Sequence, residues 1–243
     1  MDARKYIGVF CGSSNTGAKK YEKEARELAK LMVENGYDLI FGGANAGLMK
    51  IMADEVIAQG GAVKGIITPD VEALGVTYAY VGHEDKIAII KENDLPDRKK
   101  TMIKLADAFI TLPGGLGTYD ELGEVGIYNQ FASYTQLPAN SVKPCCVFNI
   151  DGFYDGTIMQ LKRGLQESFI KENHFKLIQF FTEPKKMMSH IIHFKNPKAN
   201  NTKWWEEKDM PMLPDTGITL FKSLNFTSSQ QGEVPRPWLR KTR

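Results

Sequence analysis

The stretch of sequence that decides the fold is AFITLPGGLGTYDE, residues 108–121. It begins with a short apolar run typical of a buried strand, and Pro113 follows that run. Three glycines then occur within four positions, and a threonine and two acidic residues open a helical pattern. A strand, a glycine turn and a helix in this order predict one repeating unit of an α/β sheet.

The same alternation continues over most of the chain. Apolar runs predict strands at 6–11, 38–41, 62–67, 86–90, 108–112, 145–150 and 177–181. Helical spacing predicts helices at 19–35, 47–60, 95–106, 118–131 and 154–169, and a last one from Thr182, as N-cap, to Phe194. This pattern predicts a doubly wound, Rossmann-like, mostly parallel sheet with helices on both faces. Such sheets bind ligands at the carboxyl ends of their strands.

Length and composition exclude several classes of protein. The 243 residues are 42% hydrophobic and 25% charged, and a net charge of +2 gives no argument for nucleic-acid binding. No run approaches the roughly 18 apolar residues of a membrane helix, and the N-terminus lacks a signal-peptide pattern. Three cysteines without metal-type spacing indicate neither a disulfide framework nor a metal site. We therefore expect a cytoplasmic protein with no metal and no membrane partner.

The composition changes near residue 195. We expect residues 1–195 to form the α/β domain. Residues 196–243 are rich in Pro, Asn, Lys and Ser and carry scattered aromatic residues, so we interpret them as an irregular C-terminal extension.

Two glycine-rich turns resemble phosphate-binding loops. FGGANAGLM, residues 41–49, and LPGGLGT, residues 112–118, each place glycines between a predicted strand and a predicted helix. Glycine lets a ligand approach backbone N–H groups closely, and the positive end of the following helix favours an anion. Neither turn is a Walker loop or a dinucleotide fingerprint. Either one alone also suits an ordinary tight connection, but two in one sheet favour a phosphorylated ligand.

The acidic residues after the second glycine turn have two interpretations. Thr118 and Glu121 fit a capping box, in which the threonine caps the helix and the glutamate accepts from its N–H group. Alternatively, Glu121 and Glu124 share a helix face that begins beside the glycine turn. Carboxylates beside an anion site suit a reaction that develops positive charge near a phosphate.

A basic cluster precedes the same strand. Arg98, Lys99 and Lys100 lie near the start of a predicted helix, where the helix dipole disfavours cations. The cluster is either a solvated basic patch or a group in which Arg98 and Lys99 face a phosphate or an acidic residue of the site. A planar guanidinium suits bidentate binding of phosphate or carboxylate.

These motifs together resemble a known family. They occur in the order VFCGSS, FGGANAGLM, DRKK, ADAFITLPGGLGTYDE and FNIDGFYD. This series is similar to the LONELY GUY family of cytokinin-activating phosphoribohydrolases, whose bacterial members are often misnamed lysine decarboxylases. The resemblance covers residues 6–194 and is most specific in the paired motif R-K … P-G-G-x-G-T-x-x-E. The chain departs from the family pattern at Ala44 and Lys50.

The resemblance implies a nucleotide-binding catalytic domain over residues 1–195. Its reaction would be hydrolysis of the N-glycosidic bond of AMP or an N6-modified adenosine monophosphate, without a cofactor, by a homodimer or larger homo-oligomer. Arg98 and Glu121 would be the catalytic pair. The implied substrate-binding residues are Gly12, Ser13, Gly42, Gly43, Lys99, Pro113, Gly114, Gly115, Gly117, Thr118, Asp120 and Glu124. A further family glutamate corresponds to either Glu72 or Glu84.

The chemistry of the reaction agrees with these residue types. Cleavage of a glycosidic bond gives an oxocarbenium-like sugar at the transition state, which a carboxylate stabilises. Glu121 is the candidate for this role, and Arg98 would hold it in place. The alternative is a nucleotide- or molybdenum-cofactor-type binding or carrier protein, which resembles this fold and also uses a glycine-rich anion loop. A carrier has no need of the pair formed by Arg98 and Glu121.

Overall fold

The computed structural model describes residues 5–79, 81–134 and 142–195. Within these ranges seven parallel strands form one sheet in the order β4-β3-β2-β1-β5-β6-β7. The strands are β1 (Lys5–Phe10), β2 (Tyr37–Phe41), β3 (Val63–Ile67), β4 (Ile87–Lys91), β5 (Ala108–Thr111), β6 (Cys145–Phe148) and β7 (Gln179–Phe181). The predicted doubly wound parallel sheet is thereby confirmed.

Helices connect successive strands and cover both faces of the sheet. They are α1 (Asn15–Glu34), α2 (Gly47–Ala58), α3 (Pro69–Ala73), α4 (Leu95–Leu105), α5 (Leu116–Tyr134), α6 (Asp155–Gln166), α7 (Glu172–Phe175) and α8 (Pro184–Ile192). Side chains of α1, α2 and α8 form one apolar core, and side chains of α4 and α5 form the core on the other face. Burial on both faces explains why the strands read as continuous apolar runs.

Two short helices and several helix starts differ from the sequence prediction. The helices α3 and α7 are too short to give a periodic pattern, so the sequence did not predict them. The last helix has Glu183 rather than Thr182 as its N-cap. Pro184 explains this difference, because its fixed φ favours the first helical position and the cap is the residue before it. The predicted extension over 196–243 lies outside the described residues.

The strand order locates the place where a ligand fits. It runs outward from β1 in both directions, through β2 to β4 on one side and through β5 to β7 on the other. The order therefore reverses between β1 and β5, and the connections at their carboxyl ends diverge to opposite faces. Open α/β sheets bind their ligands in the crevice that forms at such a point.

Candidate active site

Three loops meet at Gly12, at the carboxyl end of β1. The Gly12 N–H donates to the carbonyl of Pro113 at 3.0 Å, and the Gly12 carbonyl accepts from the Leu48 N–H at 2.9 Å. A Cβ on Gly12 would lie 3.2 Å from the Cα of Gly114, so the backbones are in close contact. The loops after β1, β2 and β5 are thus joined by main-chain groups.

The glycine loop after β5, residues 112–118, has a closed inner side and an open outer side. A Cβ on Gly114 would lie 2.1 Å from Oγ1 of Thr118 and 2.9 Å from the backbone nitrogen of Gly12. At Gly115 and Gly117 an added Cβ would meet no atom within 4 Å. The inner glycine is therefore required for packing, and the two outer glycines leave space for a ligand.

The start of α5 decides between the two interpretations of its acidic residues. The helix begins at Leu116, and the Tyr119 N–H donates to the Gly115 carbonyl at 3.1 Å. Thr118 therefore lies inside the first turn, so the capping-box interpretation was wrong: the glycine turn already allows the helix to begin two residues before the threonine. The backbone N–H groups of a first turn have no acceptor within the helix and point toward its open end.

Arg98 and Glu121 form a buried ion pair beside this loop. Nη1 of Arg98 lies 3.3 Å from Oε1 of Glu121, and the two side chains are 10% and 7% exposed. Nε of Arg98 donates to the Ile66 carbonyl at 2.8 Å, which fixes the guanidinium at the end of β3. A Cβ on Gly42 would lie 2.2 Å from Nη2 of Arg98, so the glycine there makes room for the arginine.

The carboxyl group of Glu121 titrates near neutrality. Burial raises its pKa from 4.5 to about 7 and outweighs the opposing effect of the Arg98 charge. The neighbouring charges act in both directions, since Asp120 raises the pKa and Lys99 lowers it. A carboxyl group with this pKa is available near pH 7 both as a carboxylate that stabilises positive charge and as a proton acceptor.

Lys99 connects α4 to α5 on the outer side of the pair. Its Nζ donates to Oδ1 of Asp120 at 2.9 Å and to Oε2 of Glu124 at 3.0 Å. The hydrogen bond to Asp120 is the main cause of the raised pKa of Lys99, which keeps the ammonium charged. The structure thus brings Arg98, Lys99 and three acidic residues of α5 together, which agrees with the interpretation that the basic cluster faces acidic residues of the site.

The glycine loop after β2 is arranged differently. Gly43 has a φ of 74°, and a Cβ there would lie 2.4 Å from Cγ2 of Ile67. The Gly47 N–H donates to Oδ1 of Asn15 at 2.8 Å, and the Leu48 N–H is already bonded to Gly12. These two amides at the start of α2 therefore bond within the protein, which leaves the loop after β5 as the better candidate for an anion.

Several other candidates have defined positions. Ser13 is exposed on the loop that leads into α1, whose N-cap is Ser14. Glu72 lies on α3 and pairs with Lys91 at 2.6 Å, and Glu84 accepts from the Gly82 N–H at 3.1 Å. The choice between these two glutamates stays a prediction.

Cysteine chemistry does not contribute to the site. Cys11 is fully buried beneath the loops, and burial raises the pKa of its thiol far above the usual range, so the thiolate nucleophile does not form near neutral pH. In the part of the chain that the structure describes, no group of three or more His, Cys, Asp or Glu residues is arranged to hold a metal ion. Over the same residues, no helix has the length and apolarity needed to cross a bilayer.

Sequence reasoning missed the residues that hold the loops in place. Asn15 caps the start of α2 from 32 residues away, and Tyr154 donates to the Leu112 carbonyl at 2.7 Å. Tyr154 lies within the FNIDGFYD motif and Asn15 lies directly after the VFCGSS motif, but their partners are backbone groups of distant loops. Only the topology brings them together.

The chain is similar to members of a known protein family. A family model described as "Possible lysine decarboxylase" matches residues 49–191. A probable cytokinin riboside 5′-monophosphate phosphoribohydrolase of Oryza sativa subsp. japonica, LOGL6, is 32% identical over 226 residues, which cover 92% of this chain and 86% of the relative. The cytokinin riboside 5′-monophosphate phosphoribohydrolase LOG2 of Arabidopsis thaliana is 35% identical over 172 residues, 71% of this chain and 75% of the relative.

Solved structures show the same fold at lower sequence identity. The molybdenum cofactor binding protein of Rippkaea orientalis superposes with a TM-score of 0.54 and 20% identity, over 79% of this chain and 98% of that protein. At this level of identity the likeness concerns the arrangement of strands and helices. It leaves function to the residues of the site.

Proposed function

Because this chain belongs to the LONELY GUY family of phosphoribohydrolases, we propose that it hydrolyses the N-glycosidic bond of an adenosine 5′-monophosphate, with or without an N6 substituent, and releases free base and ribose 5-phosphate. The observation that carries the proposal is the buried pair of Arg98 and Glu121 beside an open glycine loop. A protein that only binds a nucleotide has no need of a buried carboxylate whose pKa is near 7.

The phosphate would lie on the loop after β5. The first-turn N–H groups of α5 and the positive end of the helix dipole favour a dianion there. The open sides of Gly115 and Gly117 allow phosphate oxygens to approach the backbone. In this arrangement Pro113, Gly114 and Thr118 maintain the shape of the loop.

Glu121 would act on the sugar. The C1′–N bond breaks with its electron pair passing to the base, and positive charge develops on C1′ and the ring oxygen. The carboxylate of Glu121 stabilises this charge, orients the water that attacks C1′ and accepts a proton from it. The departing base takes up a proton from solvent and Glu121 then returns its own to solvent, so that one water is added across the C1′–N bond. Arg98 holds the carboxylate in place.

The remaining candidates would act around this centre. Gly42 and Gly43 shape the space occupied by Arg98 and the end of β3. Lys99 fixes Asp120 and Glu124, and the charges of Lys99 and Asp120 adjust the pKa of Glu121. We propose that Gly12 and Ser13 contact the substrate from the loop after β1.

A homodimer is the proposed assembly. On α5, Ile127 and Phe131 are 58% and 62% exposed, lie four residues apart on one helix face, and follow the exposed Gly123 on that face. Neighbouring exposed apolar side chains on one helix face suit a contact with another protein surface. A second copy of this chain is the partner we propose. The three buried free thiols, Cys11, Cys145 and Cys146, support a cytoplasmic location.

The test is a hydrolysis assay with matched substrates. Purified protein is incubated with AMP, isopentenyladenosine monophosphate and the corresponding nucleosides, and free base and ribose 5-phosphate are followed by chromatography. We expect release from the monophosphates and a loss of at least roughly a hundredfold in the Glu121→Ala variant. Glu124→Ala is the matched control on the same helix, with a smaller loss expected because Glu124 bonds Lys99 rather than Arg98. No release from any monophosphate, or full activity in Glu121→Ala, would refute the proposal.

A further inference from the structure

The segment that follows β6, residues 149–157, contacts the glycine loop at both of its ends. One contact is at Leu112, immediately before Pro113, and the other is at Tyr119, immediately after Thr118. The segment contains most of the FNIDGFYD motif, to which the catalytic proposal assigns no role.

The inner contact is made by Tyr154. Its hydroxyl donates to the Leu112 carbonyl at 2.7 Å, and the residue is 1% exposed. The Leu112 N–H continues the sheet by donating to the Phe10 carbonyl at 2.9 Å. Without Tyr154 the Leu112 carbonyl would lose its buried donor at the point where the chain leaves β5. Burial raises the pKa of the Tyr154 hydroxyl, so it remains a protonated donor.

The outer contact is made by Thr157. Its Oγ1 lies 2.9 Å from the hydroxyl of Tyr119, in the first turn of α5. The ring of Tyr119 also packs edge-on against the ring of Tyr154, with centroids 5.9 Å apart. Both contacts therefore belong to one continuous cluster beneath and beside the loop.

The segment itself is held rigidly to the sheet. The Asn149 N–H donates to the Phe181 carbonyl at 2.7 Å, which fixes it to β7. The Asn149 side chain accepts from the Tyr154 N–H at 2.7 Å and donates to Oδ1 of Asp155 at 2.8 Å. These bonds close a turn in which Asp151 and Gly152 have φ values of 49° and 72°.

We propose that Tyr154, assisted by Thr157, is a positioning residue for the glycine loop after β5. The inference rests on the proposed function, because it assigns the loop to the phosphate of the substrate. Tyr154 fixes where the loop leaves the sheet, and Thr157 fixes where α5 begins. Together they fix the loop and the first turn of α5, whose amides hold the phosphate, against the segment after β6, one turn before Glu121, which acts on the sugar.

The test removes single hydroxyl groups. In Tyr154→Phe we expect KM for AMP to rise about tenfold while kcat changes less than threefold. The variant lacks the hydroxyl that donates to the buried Leu112 carbonyl, so the loop holds the phosphate less well, whereas the groups that act on the sugar are unchanged. Tyr78→Phe is the matched control, since Tyr78 is 2% exposed and its hydroxyl donates to Asp54 at 3.1 Å on α2. Thr157→Val removes the outer contact, and we expect its effect to be non-additive with that of Tyr154→Phe.

A second measurement does not depend on catalysis. In ligand-free Tyr154→Phe we expect hydrogen exchange of the amides of residues 114–120 to be at least tenfold faster than in the parent protein, with α1 unchanged. Unchanged exchange and unchanged KM, or faster exchange throughout the sheet, would overturn the inference. If the parent protein hydrolyses no monophosphate, the proposed function fails, and the exchange measurement alone then decides whether Tyr154 positions the loop.

Discussion

Since burial raises the pKa of Glu121 to about 7, we expect kcat/KM for AMP to rise with pH across neutrality. The active form in the proposed mechanism is the carboxylate. With a pKa of about 7, the ionised fraction rises roughly tenfold between pH 6 and pH 8. A glutamate at its ordinary pKa of 4.5 would already be ionised at pH 6 and would give no such rise.

Ionisation of the substrate phosphate can also change the rate with pH, and variants of two neighbours of Glu121 distinguish the two causes. The second ionisation of a phosphate monoester has a pKa of roughly 6 and would also give a rise. Asp120 raises the pKa of Glu121, and Lys99 lowers it. The rise in kcat/KM is therefore expected at lower pH in Asp120→Asn and at higher pH in Lys99→Met. A rise that belongs to the substrate phosphate would stay at the same pH in both variants.

The assay is initial-rate hydrolysis from pH 5 to pH 9 at constant ionic strength, with subsaturating AMP. Base release is followed for the parent protein and the two charge variants, and ribose 5-phosphate is quantified as a check. Two results would refute the reasoning. One is a rise that does not move in either variant, and the other is a kcat/KM that falls through pH 7, since that would make the protonated acid the active form.

Three further predictions concern stability, packing and assembly. The pKa of Glu121 is about 7 in the folded protein and 4.5 in the unfolded chain, so the stability that the residue contributes falls as pH rises through this window. Relative to Glu121→Gln, we expect the free energy of unfolding to fall by about 3 kcal/mol. Urea unfolding of both proteins at pH 5 and pH 8 measures this difference, and parallel pH dependences would contradict it. Gly42→Ala places a methyl group 2.2 Å from Nη2 of Arg98 and is expected to reduce kcat/KM by at least roughly a hundredfold. Gly17→Ala, whose Cβ would make only ordinary contacts from 3.6 Å, is its control in the same assay. Phe131→Asp should convert the proposed dimer to a monomer in light scattering, and an unchanged mass would exclude this face of α5 as the interface.

The strands and long helices could be predicted because their signals are local. Each buried strand is a continuous apolar run, and α1 shows its buried face in residues such as Leu28 and Met32. Helix ends were less predictable. The start of α5 depends on the Gly115 carbonyl, and the start of α8 depends on Pro184 rather than on the threonine before it.

The charged side chains of the candidate site could be predicted because they lie in sequence motifs. Arg98 and Glu121 come from consecutive helices and pair directly. The partners that complete the site are main-chain groups: the Ile66 carbonyl that fixes Arg98 and the Leu112 carbonyl that accepts from Tyr154. Every residue has a backbone carbonyl, so the sequence does not show which carbonyl accepts a given hydrogen bond. Only the three-dimensional arrangement reveals these partners.

The meeting of three loops at Gly12 has a consequence for how this scaffold changes over evolution. The bonds there use the N–H and carbonyl of the main chain, so they need glycines such as Gly114 and Gly47 at the closest approaches but do not depend on the side chains elsewhere in the loops. Substitutions at exposed neighbours such as Ser13 and Leu116 can alter what the crevice accepts without loosening the junction. The architecture and the chemistry can therefore diverge separately. The fold is shared with a molybdenum cofactor binding protein at 20% identity, so the arrangement of strands and helices persists while most residues change.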